Sequence, residues 1–154
     1  MRRLKQAVLF LVVVFAAAQF IRPTRANPPT DPTHTIQAQT ATTRALAAVL
    51  DRACRDCHSN QTVWPGYTQV APLSWVMAYG VTSGRKAINF SEWTTYPPET
   101  QRRLLIASCQ DARAGKMPDS VWTTLHPEAK LTAQDIDTIC LAARQIVADA
   151  GTGR

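Results

Sequence analysis

The chain contains one C-x-x-C-H pentapeptide, Cys54-Arg55-Asp56-Cys57-His58. On a helix, two cysteines three residues apart lie on one face, so both thiols can add to the vinyl groups of a single porphyrin. The histidine that follows can offer a ring nitrogen to the iron, and this spacing is typical of c-type haem attachment. The motif therefore predicts one covalently attached haem c, with His58 as the first axial ligand.

Two other kinds of site could use the same residues. A C-x-x-C pair can be a thiol redox centre with one activated thiolate, but such a centre needs a βαβ context, and little of this sequence has the pattern of a strand. A structural zinc site needs a second pair of closely spaced ligands, whereas Cys109 and Cys140 are 31 positions apart. Both alternatives are therefore weaker than haem attachment.

The N-terminus has the pattern of an export signal. Residues 1–5 are rich in Lys and Arg, residues 7–18 are apolar and uncharged, and Ala16 and Ala18 provide the small residues of a cleavage site. Covalent haem attachment takes place, as a rule, outside the cytoplasmic membrane, so the two signals agree without depending on each other. Together they predict a location at the periplasmic side of the bacterial inner membrane.

Residues 1–22 are expected to be either a retained signal anchor or a cleaved signal peptide. The apolar run from residue 6 to residue 21 makes about 24 Å of helix at 1.5 Å per residue, which is short of a ~30 Å hydrocarbon core. The side chains of Lys5 and Arg22 can reach across the difference, so we favour a single-pass anchor. Cleavage would instead leave a soluble periplasmic protein.

The net charge of +6 comes mainly from the export segment. Residues 1–25 hold five Lys or Arg and no acidic residue, whereas the remainder holds 12 basic and 11 acidic residues. The exported part is therefore nearly neutral, and no nucleic-acid partner is indicated. The expected partners are the membrane, through the N-terminal segment, and redox proteins of unknown identity.

The rest of the chain divides into a linker and one domain. Four prolines predict an extended Pro-rich linker over residues 23–34, and residues 35–150 suit a single c-type haem-binding domain. Apolar residues at helical spacing predict helices over residues 42–53 and on into the C-x-x-C-H motif, from Pro72 to Tyr79 with Gly80 or Gly84 as the end, from Pro98 to Ala114 before a capping Gly115, and from Thr132 onwards.

The last of these helices has the clearest pattern. Thr132 and Asp135 form a shortened capping box, and an apolar face follows at helical spacing, made of Ile136, Ile139, Cys140, Ala143 and Val147. Strand patterns are nearly absent from the chain. We therefore predict an all-α fold, in which a cytochrome c-like helical haem domain is preceded by an N-terminal hydrophobic helix.

A haem bound through His58 has a second face that needs a ligand. Met117 lies in a loop before Pro118, which restricts the backbone, and a Met/His pair raises the reduction potential. His126 would instead give two histidine ligands and a lower potential. Met77 has the helical spacing of a core residue. We favour Met117, and His126 or an open site are the alternatives.

These motifs resemble those of a known family, the small bacterial haem-binding-domain proteins, which carry one c-type haem after an N-terminal export segment. The matching stretches are residues 19–23, 27–28, 54–60, 64–67, 71–75, 84–85, 89–93, 116–118 and 126–132. The resemblance implies a cytochrome c-like haem domain in which Cys54, Cys57 and His58 bind haem. Gly66 stands where the family more often has an aromatic residue, so no packing role follows for that position.

Arg85 and Trp75 are further candidate haem contacts. An arginine fork binds carboxylates bidentately, so Arg85 could pair with a haem propionate; a solvated loop charge is the alternative. A porphyrin is a flat apolar surface on which Trp75, Trp64, Trp93 or Trp122 could pack. An indole N–H could also donate to a propionate, and ordinary core packing is the alternative for each tryptophan.

Cys109 and Cys140 fall on two of the predicted helices. In an oxidising compartment two spare thiols often pair, so we expect a disulfide between them. Two buried, apolar cysteines are the alternative.

The expected function is electron transfer by a monohaem c-type cytochrome. No Ser-His-Asp set, paired-carboxylate motif or nucleotide-binding loop in the sequence indicates an enzyme, and an electron carrier needs no substrate pocket. The alternative is a haem-based peroxidase-like enzyme or a gas or redox sensor with an open or labile distal site, for which His126 and Glu128 would supply acid–base groups. A third possibility is a haem-dependent interaction module of a membrane complex.

Overall fold

The computed structural model describes residues 1–39 and 42–151, with side chains as far as residue 145. Along these residues the α-helices are α1 (Arg2–Ala18), α2 (Arg44–Ala53), α3 (Arg55–His58), α4 (Leu73–Ala87), α5 (Pro98–Arg113), α6 (Ser120–Leu125) and α7 (Ala133–Gly151). Short 3₁₀ helices lie between them, at Pro32–His34, Ile36–Ala38, Gly66–Gln69, Phe90–Thr95 and Pro127–Ala129. None of the described residues forms a strand, so the predicted all-α fold is confirmed.

The N-terminal helix α1 is apolar and exposed along its length. None of its 17 residues is buried. No helix in the described part of the chain combines the length and the hydropathy that crossing a bilayer requires. The N-terminal segment is therefore helical, as expected, but its helix is not the long apolar helix that we predicted.

A break at Cys54 separates α2 from α3. The hydroxyl of Thr43 caps α2 by accepting a hydrogen bond from Leu46 N (3.1 Å), and the apolar face of this helix is buried. At Cys54 the backbone leaves helical geometry (φ −125°, ψ −32°), and α3 begins as a separate helix. The prediction that the first helix runs straight into the motif is therefore wrong, because the chain turns at Cys54 and brings His58 to α4.

The helix α4 continues through both of the glycines that we expected to end it. Gly80 and Gly84 lie inside the helix, which reaches Ala87. At Gly84 the helix touches α3, since a Cβ built there would lie 2.4 Å from the carbonyl oxygen of Cys57. Glycine allows this close approach of two backbones, so at this position it serves packing rather than termination.

The main core lies among α2, α5 and α7. Trp93 is fully buried in it and donates a hydrogen bond from Nε1 to Gln39 Oε1 (2.7 Å). A disulfide between Cys109 on α5 and Cys140 on α7 joins these two helices. The predicted pairing of the two cysteines is therefore confirmed.

The start of α7 has the predicted capping box. Thr132 N donates to Asp135 Oδ2 (2.8 Å), and Asp135 N donates to Thr132 Oγ1 (3.2 Å). On the predicted apolar face, Ile139 and Ala143 are buried, whereas Val147 lies outside the residues whose side chains are described. The local pattern therefore identified both the helix start and its inward face.

Residues 19–29, here called the strap, lie along the domain instead of forming a free spacer. Gln19 Oε1 accepts a hydrogen bond from Ala71 N (2.9 Å), and Gln19 Nε2 donates to Ala71 O (3.5 Å). Trp75 donates from Nε1 to Ile21 O (2.8 Å). The predicted linker, residues 23–34, has no helix before Pro32–His34. Its first part is bound to the domain, since Arg25 Nη1 donates to Thr68 O (2.9 Å) and Asn27 Nδ2 donates to Thr62 O (2.8 Å).

Candidate functional site

The imidazole of His58 is held by two backbone carbonyl groups. Its Nδ1 lies 3.0 Å from Gly84 O and 3.2 Å from Ile88 O, and since a carbonyl oxygen only accepts, Nδ1 carries the proton. The lone pair is then on Nε2, which is how a metal-binding histidine is arranged when its second nitrogen is fixed by a carbonyl. Burial lowers the pKa of His58, although the two hydrogen bonds oppose this change, so the ring is neutral at pH 7.

Both carbonyl groups come from the C-terminal end of α4. Ile88 is the C-cap residue and Gly84 stands one turn earlier, and carbonyl groups in the last turn of a helix point towards partners outside it. The close approach at Gly84 brings this turn against α3. The α3–α4 contact therefore orients the histidine of the C-x-x-C-H motif.

Cys54 and Cys57 are unpaired and partly buried. Burial raises the pKa of Cys54 to about 12, and burial followed by the charge of Asp56 raises that of Cys57 to about 11. A redox C-x-x-C pair needs a thiol with a lowered pKa, which neither cysteine has. Within the described ranges there is also no group of three or more His, Cys, Asp or Glu that could hold a metal ion.

Arg85 joins the loop after the motif to the strap. Its Nε donates to Ser59 O (2.7 Å), and its Nη1 donates to Ala26 O (3.0 Å). Its Nη2 donates to Asn27 Oδ1 (2.9 Å) and to Thr62 Oγ1 (2.8 Å). Four of the five N–H groups of the guanidinium therefore have partners in the protein, and one N–H on Nη1 is left for the predicted propionate.

Three of the four tryptophans use their indole N–H within the protein. Trp75 donates to Ile21 O, as described above, and Trp93 donates to the core side chain of Gln39. Trp64 donates to Asn27 Oδ1 at 3.2 Å. The role of Trp75 as a candidate haem contact thus rests on its ring, since its N–H binds the strap.

Arg55, between the two motif cysteines, has a polar atom without a partner. Its Nε is buried, and no other described residue forms a hydrogen bond with it. A buried N–H left unpaired is costly, and a carboxylate is the partner that satisfies it best. Sequence reasoning missed Arg55 because the two positions between the cysteines carry no signal of their own.

Met117 follows the C-terminal turn of α5. Gly115 has a φ of +65°, which is the left-handed conformation predicted for its capping role. Lys116 N and Met117 N then donate to Asp111 O at 2.9 and 3.4 Å. The chain therefore leaves α5 with a defined turn that presents Met117.

The thioether of Met117 is accessible. The side chain is 47% exposed and belongs to neither of the apolar clusters of the domain. Burial and Asp56 raise the pKa of Cys57 most, and the charge of Asp119 adds to them. Asp119 is two residues after Met117, so the charge that acts on Cys57 comes from the same loop as Met117.

His126 has partners on both ring nitrogens. Its Nε2 lies 2.7 Å from Tyr67 Oη, and its Nδ1 lies 3.0 Å from Glu128 Oε1. The ring also stacks on Trp122, with centroids 3.8 Å apart. Iron binding would therefore cost His126 one of these two hydrogen bonds. Sequence reasoning assigned no role to Tyr67, whose partner lies 59 positions away.

Met77 packs with Trp122 in the smaller apolar cluster, as expected of a core residue.

A family model described as a haem-binding domain matches residues 13–145. The chain belongs to this haem-binding domain family. The match includes the C-x-x-C-H motif, the α4 carbonyl groups and Met117, and it confirms the resemblance inferred from the sequence. Comparison with curated proteins and with solved structures found no match.

The residues of the site fit the cofactor of the family. His58 is neutral and has its Nε2 lone pair available to iron, and the unpartnered Nε of Arg55 matches the charge of a haem propionate. Haem binding is thus supported by the family and by the chemistry of these donors.

Proposed function

We propose that the chain is a monohaem c-type cytochrome that transfers electrons at the periplasmic face of the bacterial inner membrane. In this proposal Cys54 and Cys57 form thioether bonds to one haem c, and His58 is the proximal ligand. The observation that carries it is the fixed imidazole, whose Nδ1–H is held by Gly84 O and Ile88 O. A haem bound in this way supplies one-electron Fe(II)/Fe(III) chemistry.

The covalent attachment is tested by mass spectrometry of the denatured exported protein. Each S–H adds across one vinyl C=C without losing an atom, so the chain gains the mass of one whole haem. Replacing Cys54 and Cys57 by Ala abolishes this gain, whereas the matched pair Cys109→Ala and Cys140→Ala keeps it. A wild-type chain that releases its haem on denaturation would contradict the c-type assignment.

For the second axial position we propose Met117. Its thioether is accessible, whereas both nitrogens of His126 are bonded to protein partners. We expect Met117→Leu to remove the long-wavelength charge-transfer band of a Met-ligated ferric haem and to lower the reduction potential. His126→Gln is the matched variant and is expected to retain the band. The reverse pattern would assign His126 instead.

A second candidate function is a peroxidase-like enzyme or a gas or redox sensor with an open distal site. The hydrogen-bonded chain of Tyr67, His126 and Glu128 favours it, since such a chain can supply and accept protons. A high-spin ferric spectrum together with peroxide turnover that His126→Gln abolishes would support this function. A low-spin spectrum without turnover would leave electron transfer.

The proposed location rests on the basic and apolar pattern of residues 1–22. N-terminal sequencing of the protein recovered from the cell envelope tests it. A chain that starts at Met1 indicates an anchor, and a chain that starts at Gln19 indicates a cleaved signal peptide. Recovery of the haem-loaded protein from the cytoplasm would contradict the location.

A further inference from the structure

The strap places two exposed apolar side chains beside α4. The helix α1 ends at Ala18, but the hydrogen bonds from Phe20 N to Ala17 O (3.1 Å) and from Ile21 N to Ala18 O (3.2 Å) continue its last turn. Trp75 on α4 donates a hydrogen bond from Nε1 to the carbonyl oxygen of Ile21. Phe20 and Ile21 are both exposed, so the last turn of α1 ends in apolar side chains beside α4.

The outer face of α4 continues this apolar surface. Trp75, Val76 and Tyr79 lie within one helical turn of each other, and Leu73 is one turn before Val76. Val76 is 51% exposed and Tyr79 is 76% exposed. Contiguous exposed apolar side chains of this kind mark an interaction surface. We call this surface the α4 patch, and it consists of Phe20, Ile21, Leu73, Val76 and Tyr79.

The two segments of the chain that form the α4 patch contain basic but no acidic residues. Residues 1–30 and 57–91, which include the whole patch, contain no Asp or Glu. Arg22 follows Ile21 directly, and Arg25 is three residues further on. A surface of this charge is attracted to anionic phospholipid headgroups, and the amphipathic ring of Tyr79 favours the boundary between membrane and water.

We propose that the α4 patch lies in the headgroup interface of a phospholipid bilayer, beside the point at which α1 ends. The 17 residues of α1 make about 26 Å of helix, whereas a hydrocarbon core is ~30 Å thick. Gln19 is bonded directly to Ala71, so no free linker separates α1 from the domain. The α4 patch therefore continues the apolar surface of α1 at the membrane.

This contact gives the haem site a fixed orientation. The patch occupies the exposed face of α4, while the buried face of the same helix contains Met77, Val81 and Gly84. The carbonyl group of Gly84 holds His58. Seating the patch on lipid therefore turns the opposite side of α4, with the C-x-x-C-H motif, away from the bilayer and towards soluble partners. This inference rests on the proposed membrane-face location, but it does not depend on the sixth iron ligand.

Spin labels at two matched positions test the proposal. Once haem occupies the motif cysteines and the disulfide is formed, a cysteine introduced by Val76→Cys or Leu141→Cys is the single labelling site. Val76 on α4 and Leu141 on α7 are 51% and 52% exposed, so they differ in location but not in accessibility. The full-length haem-loaded protein is incorporated into vesicles of phosphatidylcholine and phosphatidylglycerol, and electron paramagnetic resonance measures collisions with oxygen, which enters lipid, and with a water-soluble nickel chelate.

We expect the ratio of oxygen to nickel collisions to be several-fold higher at position 76 than at position 141. Equal ratios in protein that sediments with the vesicles would overturn the proposal and leave the membrane-face location intact. Dipolar broadening between labels at position 76 would also overturn it, because a second copy of the chain would then cover the patch. Protein that stays in the supernatant would contradict the location itself.

Discussion

The contact between α3 and α4 that orients His58 can be tested by adding a single methyl group at Gly84. A Cβ at this position would lie 2.4 Å from Cys57 O and 3.2 Å from Cys57 Cβ, whereas ordinary contacts begin at 3.4 Å. The clashing oxygen belongs to the backbone of α3 and cannot rotate away. In the variant Gly84→Ala, α4 must therefore move away from α3 by about 1 Å, which takes the 3.0 Å hydrogen bond of His58 to Gly84 O beyond hydrogen-bonding range.

Gly80 provides the matched control on the same helix. No atom lies within 4 Å of a Cβ built at Gly80, so Gly80→Ala receives only the higher helix propensity of alanine, up to ~1 kcal/mol. Gly84→Ala receives the same gain but also an overpacking cost of ~1–3 kcal/mol. The difference between the two variants isolates that cost, so Gly84→Ala is expected to be less stable than Gly80→Ala by ~1–3 kcal/mol.

Urea unfolding of the haem-loaded variants, followed by far-ultraviolet circular dichroism, measures this difference in the free energy of unfolding. The ferric absorption spectrum reports the histidine ligand at the same time, and we expect it to change in Gly84→Ala and not in Gly80→Ala. Equal unfolding midpoints and identical spectra for the two variants would refute a close α3–α4 contact that orients His58.

Three further changes test other parts of the structure. Arg52→Gln removes hydrogen bonds to Glu128 O, to Lys130 O (3.1 Å) and to Asp135 (2.7 Å), so thermal unfolding should show a loss of ~1–2 kcal/mol; an unchanged melting temperature would contradict this. Asn27→Ala removes the three side-chain hydrogen bonds between Asn27 and Thr62, Trp64 and Arg85, so limited proteolysis should cleave the strap faster than in Thr24→Ala, and equal rates would count against a docked strap. Reduction of the disulfide between Cys109 and Cys140, which closes a 31-residue loop, should cost ~3–4 kcal/mol in unfolding free energy while the haem stays attached; loss of haem on reduction would oppose thioether bonds.

Local signals in the sequence predicted most of the helical structure. The capping box of Thr132 and Asp135 and the left-handed Gly115 are set by neighbours within a few residues, and the structure has both. The errors arose where a distant contact decided the local geometry. Gly84 continues a helix because α3 packs on it, and Cys54 breaks one because the chain must turn towards α4.

The candidate site likewise has parts that a local sequence pattern predicted and parts that depend on distant contacts. The C-x-x-C-H motif is a local pattern, so its thiols and imidazole could be identified at once. The carbonyl partners of His58 are 26 and 30 positions away, and backbone carbonyl groups carry no signal in a sequence. Arg85 was selected for the charge of its side chain, but that charge also attracts the carbonyl and amide oxygens of the protein, and the strap and the loop after the motif use most of its donors.

The choice of the second axial ligand depends on what each candidate must give up. To bind iron, His126 has to release Tyr67 or Glu128, at ~1–3 kcal/mol for the group left unpaired. Among the described residues, the side chain of Met117 has no hydrogen bond to release, and it is 47% exposed. In lost protein hydrogen bonds, recruiting the thioether is therefore cheaper by ~1–3 kcal/mol. Since a Met/His pair raises the reduction potential above that of two histidines, this difference in cost would also select the range of redox partners of the proposed cytochrome.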